Sequence, residues 1–324
     1  MFVSLGIRFE ALVEALNMSE TVGNYSRHRR VPYIIKDEDG SYRSVYVPAI
    51  SGESIAHAYQ VLLAEEAIKD GLKVCEECRR GEFFKSMNRN LARRKGVVDG
   101  DDFKVTERKI VENCVVEDIG GFLLAEGNPV KRTSAFQVSY ALPIKRAVMA
   151  SVVDPQLHAR HSIAPEAREG SREGASEQMI YYVEIGTAIY GLVFNIDLAA
   201  IGVSAYGDKI LSDNEIKKRQ VVALKALLRM LSSKQLGAKL SRFFPHEEIK
   251  TMFATVSEKP FTVSSPLEDT FIQETLRRAK VIEEKFGEKI AIYGFSKEFD
   301  LPEEVVKLET PEEVILEILK HVEE

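Results

Sequence analysis

The chain has no tryptophan, only three cysteines among 324 residues, and fifteen Asn and Gln together. No stretch approaches the roughly 18 consecutive apolar residues that a membrane helix needs, so no membrane partner is expected. The opening MFVSLGIRFEALVEAL alternates and carries Arg8, Glu10 and Glu14, which the apolar region of a secretory signal does not tolerate. A cytoplasmic protein is therefore expected, and an odd, small number of cysteines fits a reducing compartment. Neither GxGxxG nor GxxxxGK[ST] occurs, which removes the common glycine loops for nucleotides. Gly-x-Ser-x-Gly is missing too, so a hydrolase elbow has no candidate. Scarce amides beside many Glu, Lys and Arg suit a thermophile. What remains is ordinary for a globular chain: 45% hydrophobic and 29% charged residues, enough to bury one large core or two smaller ones.

Charge is unevenly placed. The formal net charge is −6, but residues 297–324 hold ten Asp/Glu and three Lys, a local −7, which leaves the other 296 residues at +1. The acidic balance thus belongs to the C-terminus and does not argue against a polyanion partner elsewhere. Residues 79–95, RRGEFFKSMNRNLARRK, carry a local +6. The segment GNYSRHRRVP, from Gly23 to Pro32, packs Arg27, His28, Arg29 and Arg30 together. Its glycine allows a tight turn and its proline discourages helix, so these cations sit on an extended surface. Guanidinium groups this close repel one another unless an anion lies among them, and phosphate matches their planar fork of donors. A basic loop neutralised by neighbouring carboxylates fits the same residues.

Periodicity gives a coarse layout. Residues 2–14 read as a half-buried strand, and PYIIKDEDGSYRSVYVP as a hairpin turning at Asp39-Gly40. Ser51 is a plausible cap for a helix whose apolar face carries Ile55, Tyr59, Leu62 and Leu63. Residues 71–118 read as a charged helical insertion, and 150–178, rich in Pro, Gly and Ser, as a structureless loop. QMIYYVEIGTAIYGLVFNIDL is a strand, and a capped helix runs from about Ser212 to Gln235 with Gly237 at its exit. SPLEDTF reads as a helix start within a C-terminal helical extension, 264–324, which also holds a short strand near Lys289–Tyr293 and a terminal helix from Pro311. The order of strand, hairpin, helix, strands, helix, strand is that of an α+β, ferredoxin-like β-α-β-β-α-β core, the frame also used by RNA-recognition modules.

Candidate chemistry is sparse. Cys75-Glu-Glu-Cys78 has zinc-ligand spacing, but only Cys114 is left to join it and the six histidines show no paired spacing, so structural cysteines and no metal are expected. His28, His57, His158 and His161 could supply an acid–base pair for RNA cleavage. Ser51-Gly52-Glu53-Ser54 opens a helix whose free N–H groups suit an anion, although an ordinary serine cap reads the same way.

GNYSRHRRVP, PAISGESIAHAYQ, IGGF, PVKRTS, LHAR and GAKLSRFFP follow one another in the order and approximate spacing of a known group. Over most of residues 1–250 the chain resembles the RNA-binding backbone subunit of archaeal CRISPR Cascade complexes, in the subtype I-A, DevR-type branch of the RAMP superfamily. The resemblance implies a single domain with an RNA-recognition-like palm, the helical insertion at 71–118 and a thumb loop at 150–178. It implies copies lined up along one CRISPR RNA with the other Cascade subunits, presenting the guide to target DNA, without cofactor or catalysis. By position it places Asn24, Arg27, His28 and Arg29 in the palm groove, and Ser51, Ser54 and His57 at a phosphate-facing helix start. Lys131 and Arg132 fall beside the glycine turn, Lys239, Ser241 and Arg242 in a basic loop, and His158 and Arg160 at the base of the thumb. A RAMP endoribonuclease that processes repeat RNA is the competing class, because it shares the core fold. Cys75, Cys78 and the acidic tail lie outside the pattern.

Overall fold

The computed structural model describes residues 1–83, 86–161 and 178–323. Its central strand β1 (Phe2–Glu14) is buried almost throughout from Phe2 to Ala11, as its run of apolar residues demands. Short strands β2 (Met18–Val22) and β3 (Tyr25–His28) follow. A separate hairpin, β4 (Arg30–Lys36) and β5 (Tyr42–Pro48), turns at Gly40 with φ of 86°. Helix α1 (Gly52–Lys69) begins at Ser51, whose side chain accepts the Ser54 N–H.

Residues 71–118 form α2 (Glu76–Arg79), the two-residue β6 (Ser86–Met87), α3 (Arg89–Arg94), α4 (Phe103–Asn113) and the start of α5 (Val115–Gly120). With β7 (Phe122–Leu124) and β8 (Val130–Arg132), β6 makes a small three-stranded sheet. This lobe has its own apolar cluster, including Met87, Leu91, Ile110, Phe122 and Val130.

The chain then returns to the main sheet through β9 (Phe136–Val138), β10 (Leu142–Pro143) and β11 (Val152–His161), all paired with the twenty-residue β12 (Gln178–Asp197). Helix α6 (Asp213–Ser233), β13 (His246–Ser257), α7 (Phe271–Phe286), β14 (Ile290–Ser296), β15 (Val306–Lys307) and α8 (Pro311–Glu323) complete it. Strands β13, β1, β12 and β9 lie side by side, each antiparallel to the next. With α1 and α6 as the crossovers, this is the ferredoxin-like arrangement expected from element order. Leu5, Ile7, Tyr59, Phe194, Leu227 and Ile318 share the main core, which joins the sheet to α1, α6 and α8. A second cluster, including Phe253, Phe271, Val263 and Ile292, packs α7 nearby.

Three expectations change. Residues 152–161 are an antiparallel strand, not structureless chain, because β12 offers a long free edge for ladder hydrogen bonds; residues 162–177 of the expected thumb lie outside the described residues. The SPLEDTF segment does not start a helix. The Pro266 and Glu268 carbonyls accept the buried Arg8 guanidinium instead, and helix begins only at Phe271. Helix α6 ends with Lys234 in the left-handed region, φ 53°, three residues before Gly237. The short strand expected near Lys289–Tyr293 is β14, which pairs along β13 and so joins the C-terminal extension to the main sheet.

Candidate nucleic-acid interface

The site is built on an irregularity in β1. Its pairing with β12 slips between Ala11 and Glu14, and Val13 there takes a φ of 58°. The slip turns the Glu14 carboxylate inward, where it is fully buried. Its Oε1 accepts from the Tyr190 hydroxyl at 2.7 Å and meets His28 Nε2 at 2.6 Å, while Oε2 accepts the Leu16 N–H at 2.7 Å. Gly186 makes the room, since a Cβ there would stand 2.4 Å from Glu14 Oε1 and 3.0 Å from His28 Nε2. Burial works against charge on both groups. The His28 hydrogen bond and charge, with help from Tyr190 and Leu16, outweigh it and leave the Glu14 carboxyl below its ordinary value. Glu14 and the Arg29 carbonyl likewise outweigh burial at His28 and raise its pKa.

His28 therefore does not line a groove. It is 2% exposed and anchors the strand it sits on, a correction to the expected palm contact. Other cations of Gly23–Pro32 are also paired: Arg27 with Glu20 at 3.1 Å on the surface, and Arg30 with Glu184 at 2.9 Å. Glu184 further receives the His28 N–H and the Tyr25 hydroxyl. Asn24 donates its side-chain amide to the Ile180 carbonyl and so ties β3's approach to β12. Carboxylates account for much of the charge in this segment, as the neutralised-loop reading allowed. Arg29 differs: its Nε donates to the neutral Asn17 Oδ1 at 3.0 Å.

Asn17 is the organising residue that sequence reasoning passed over. The same Oδ1 accepts the Ser51 N–H at 2.7 Å, and its carbonyl accepts the Arg29 N–H. Arg29 and the start of α1 are thereby fixed side by side. Ser51 is buried and its hydroxyl is spent on the cap, so Ser54 and His57 present the outer face of that first turn. Gly52 lets the helix start approach closely, because a Cβ there would meet the Val138 carbonyl at 2.9 Å. An open groove of about 700 Å³ runs past Asn17, Met18, Ser54 and His57 to Gln235 and Ala238 on the far wall.

That wall is the basic loop. Ala238 donates its N–H to the Leu16 carbonyl, and a Cβ at Gly237 would stand 2.5 Å from the same oxygen. The loop thus hangs from the residue that Glu14 holds. Lys239 and Ser241 are exposed beside the groove; Lys239 has a positive φ of 55°, and burial with the nearby Arg242 charge lowers its pKa. Arg242 Nη1 donates to the Tyr181 hydroxyl at 3.3 Å. Tyr181 stacks on His158 with ring centres 5.2 Å apart, and Phe243 meets His158 edge-on at 5.7 Å. His158 Nε2 is buried without a hydrogen-bond partner in this cluster. Aromatic faces and a guanidinium are thereby gathered on the outer half of the β11–β12 arm. Arg160 lies on β11 opposite Met179.

Lys131 and Arg132 stand apart, on β8 of the smaller sheet. Lys131 is exposed. Arg132 is beside the glycine turn as expected, since a Cβ at Gly121 would lie 2.6 Å from its carbonyl, but its side chain is buried. Its guanidinium binds Asp118, Glu107 at 2.8 Å and the Val203 and Ala200 carbonyls, and Arg219 joins Asp118 at 2.8 Å. A buried guanidinium saturated by carboxylates and carbonyls holds elements together and offers nothing to a ligand, which corrects the second expected contact.

The family model for the CRISPR-associated negative auto-regulator DevR/Csa2 matches residues 5–276. The chain belongs to the DevR/Csa2 family. It is 34% identical over 285 residues to a CRISPR-associated aCascade subunit Cas7/Csa2 of Saccharolobus solfataricus, covering 85% of this chain and 86% of that one. It is 30% identical over 315 residues to a Cas7/Cst2/DevR protein of Methanocaldococcus jannaschii, covering 92% and 94%. A solved CRISPR RNA-guided surveillance complex contains a chain of similar fold, with a TM-score of 0.56, 13% identity and 99% of both chains covered. This family member has no helix, among the described residues, long and apolar enough to cross a membrane.

Proposed function

We propose that this DevR/Csa2 chain binds CRISPR RNA without reading its sequence, as a repeated backbone subunit of a Cascade-type surveillance complex. Its copies line the RNA together with the other Cascade subunits and present the guide for pairing with target DNA. The observation that carries the reading is the loop at 237–243, whose Gly237, Ala238 and Leu240 line the α1 groove on either side of Lys239 and whose Arg242 reaches the Tyr181–His158–Phe243 cluster. Dispersed cations neutralise phosphates, aromatic faces stack on any base, and neither selects a sequence. Arg29, Ser54, His57, Lys239, Ser241 and Arg242 are the side chains assigned to RNA here. Asn24, His158 and Ser51 position them.

Catalysis is not part of the proposal. His28 is paired with Glu14, His57 lies edge-on to Phe83, His158 is stacked, and His321 meets the Tyr293 hydroxyl. Each of these four imidazoles is engaged by a neighbouring side chain. The decisive experiment incubates the protein with single-stranded RNA of increasing length and with repeat RNA. Assemblies whose mass grows stepwise with RNA length, with the RNA intact, support the scaffold. Discrete cutting of repeat RNA that His57→Ala or His158→Ala abolishes would establish the nuclease instead.

A further inference from the structure

The chain's three cysteines meet where the main core adjoins the 86–132 lobe, Cys78 and Cys114 among its buried residues and Cys75 packed against them. Cys75 caps α2, Cys78 lies in its single turn, and Cys114 separates α4 from α5. Sequence spacing offered no partner for the Cys75–Cys78 pair, yet folding brings Cys114 to it. The three Sγ atoms lie within 4.8 Å of one another. Bonds of about 2.3 Å to one tetrahedral zinc put sulfurs about 3.8 Å apart, so a small closure of side chains centres an ion among them.

The surroundings supply the rest of a coordination shell. The Cys78 thiol reaches Glu117 Oε1 at 3.9 Å, against about 3.6 Å between a thiolate sulfur and a carboxylate oxygen on the same tetrahedral ion. The buried Lys95 ammonium lies 2.8 Å from Cys75 Sγ and 3.0 Å from Glu117 Oε1. Glu77, which also approaches Lys95, is balanced by Arg94 at 3.1 Å. Three thiolates and one carboxylate around a divalent ion leave two negative charges, and a buried ammonium beside them offsets one.

We propose that Cys75, Cys78 and Cys114 bind one Zn²⁺, with the Glu117 carboxylate in the fourth position and Lys95 as the charge-balancing neighbour. Each thiol releases its proton to solvent as its sulfur–zinc bond forms, so binding is favoured by rising pH. The ion ties the start of α2 to the α4–α5 junction and closes the intervening chain, which carries the basic run at 79–95, onto the core.

The test uses the full-length protein purified without chelator, with zinc measured by elemental analysis. The metal-stripped protein is then titrated with Co²⁺. Stoichiometric zinc, with thiolate-to-cobalt charge-transfer bands and the strong visible absorption of tetrahedral cobalt, is the expected result. Cys114→Ser should weaken zinc binding by more than the roughly 10–100-fold that loss of an outer-shell partner costs. The cobalt spectrum of the wild type decides the matter even where a variant folds poorly. Zinc-free protein with no cobalt spectrum overturns the proposal, as does a native disulfide among the three thiols or a Cys114→Ser variant with unchanged affinity.

Discussion

Replacing Glu14 with Gln should destabilise the protein in a pH-dependent way. The carboxylate serves three donors, from His28, Tyr190 and Leu16. Glutamine keeps the shape but has one acceptor oxygen and no charge, so the protonated imidazole loses its counter-ion and at least one donor is left without an acceptor. Removing one member of a buried pair costs about 3–5 kcal/mol. Hydrogen bonds to charged groups contribute about 1.5–3 kcal/mol each, consistent with that range. We therefore expect a loss of about 3 kcal/mol in urea unfolding at about pH 6, where both partners are ionised.

The sign follows from the two shifts. His28 is raised from 6.5 in the folded protein, so its contribution is complete below 6.5 and is lost as pH rises through the folded value. Glu14 is lowered from 4.5, so its contribution is complete above 4.5 and is lost as pH falls through its folded value. The gap between wild type and Glu14→Gln should therefore be widest between 4.5 and 6.5 and shrink on the alkaline side. Because Leu16 carries the loop, the Ala238 amide should also exchange faster in the variant. A gap below about 0.5 kcal/mol, or one that does not vary with pH, would refute this account of the hub.

Other outcomes follow from the same geometry. Arg242→Ala and Lys239→Ala should each lower the salt slope of single-stranded RNA binding by about 0.7, measured by titration at several ionic strengths. Tyr181→Ala should weaken RNA binding by about 1–3 kcal/mol, with little dependence on base identity, if its face carries a base. Arg132→Met should cost about 3–5 kcal/mol in denaturant unfolding and leave the salt slope of the folded protein unchanged, since its guanidinium is enclosed by Asp118 and Glu107. Gly237→Ala should destabilise by roughly 1–3 kcal/mol, because its φ of 81° and the Leu16 carbonyl leave no place for a Cβ.

Local patterns carried much of the fold into the sequence. Ser51 and Ser212 cap helices as their spacing indicates, and Asp39-Gly40 turns the hairpin. These depend on residues within a few positions of one another. What stayed hidden depends on contacts made across the chain. Pro266 and Glu268 look like a helix start until Arg8, some 260 residues away, takes their carbonyls. The 150–178 composition reads as loop because ladder bonds to β12 are made by backbone, which composition does not report. The site divides in the same way. Lys239, Arg242 and His57 could be picked out as exposed polar residues in motifs, and Ser54 as a half-buried one, but nothing local marks His28 and Arg132 as buried. Their partners Glu14 and Asp118 are fourteen residues away on other elements. Asn17, with no motif of its own, had no sequence signal at all.

Strand β12 serves two parts of the fold at once. Its C-terminal half is locked between β1 and the short β9–β10 edge, while its N-terminal half runs on beside β11. Twenty residues at about 3.3 Å each let the strand span up to roughly 65 Å. One strand therefore belongs both to the outer arm and to the main sheet. In the strand's inner half Tyr190 and Gly186 face the Glu14–His28 pair. The buried pair thus sits where the ladder between β1 and β12 is interrupted, and side-chain bonds there take the place of the backbone bonds that the slip removes.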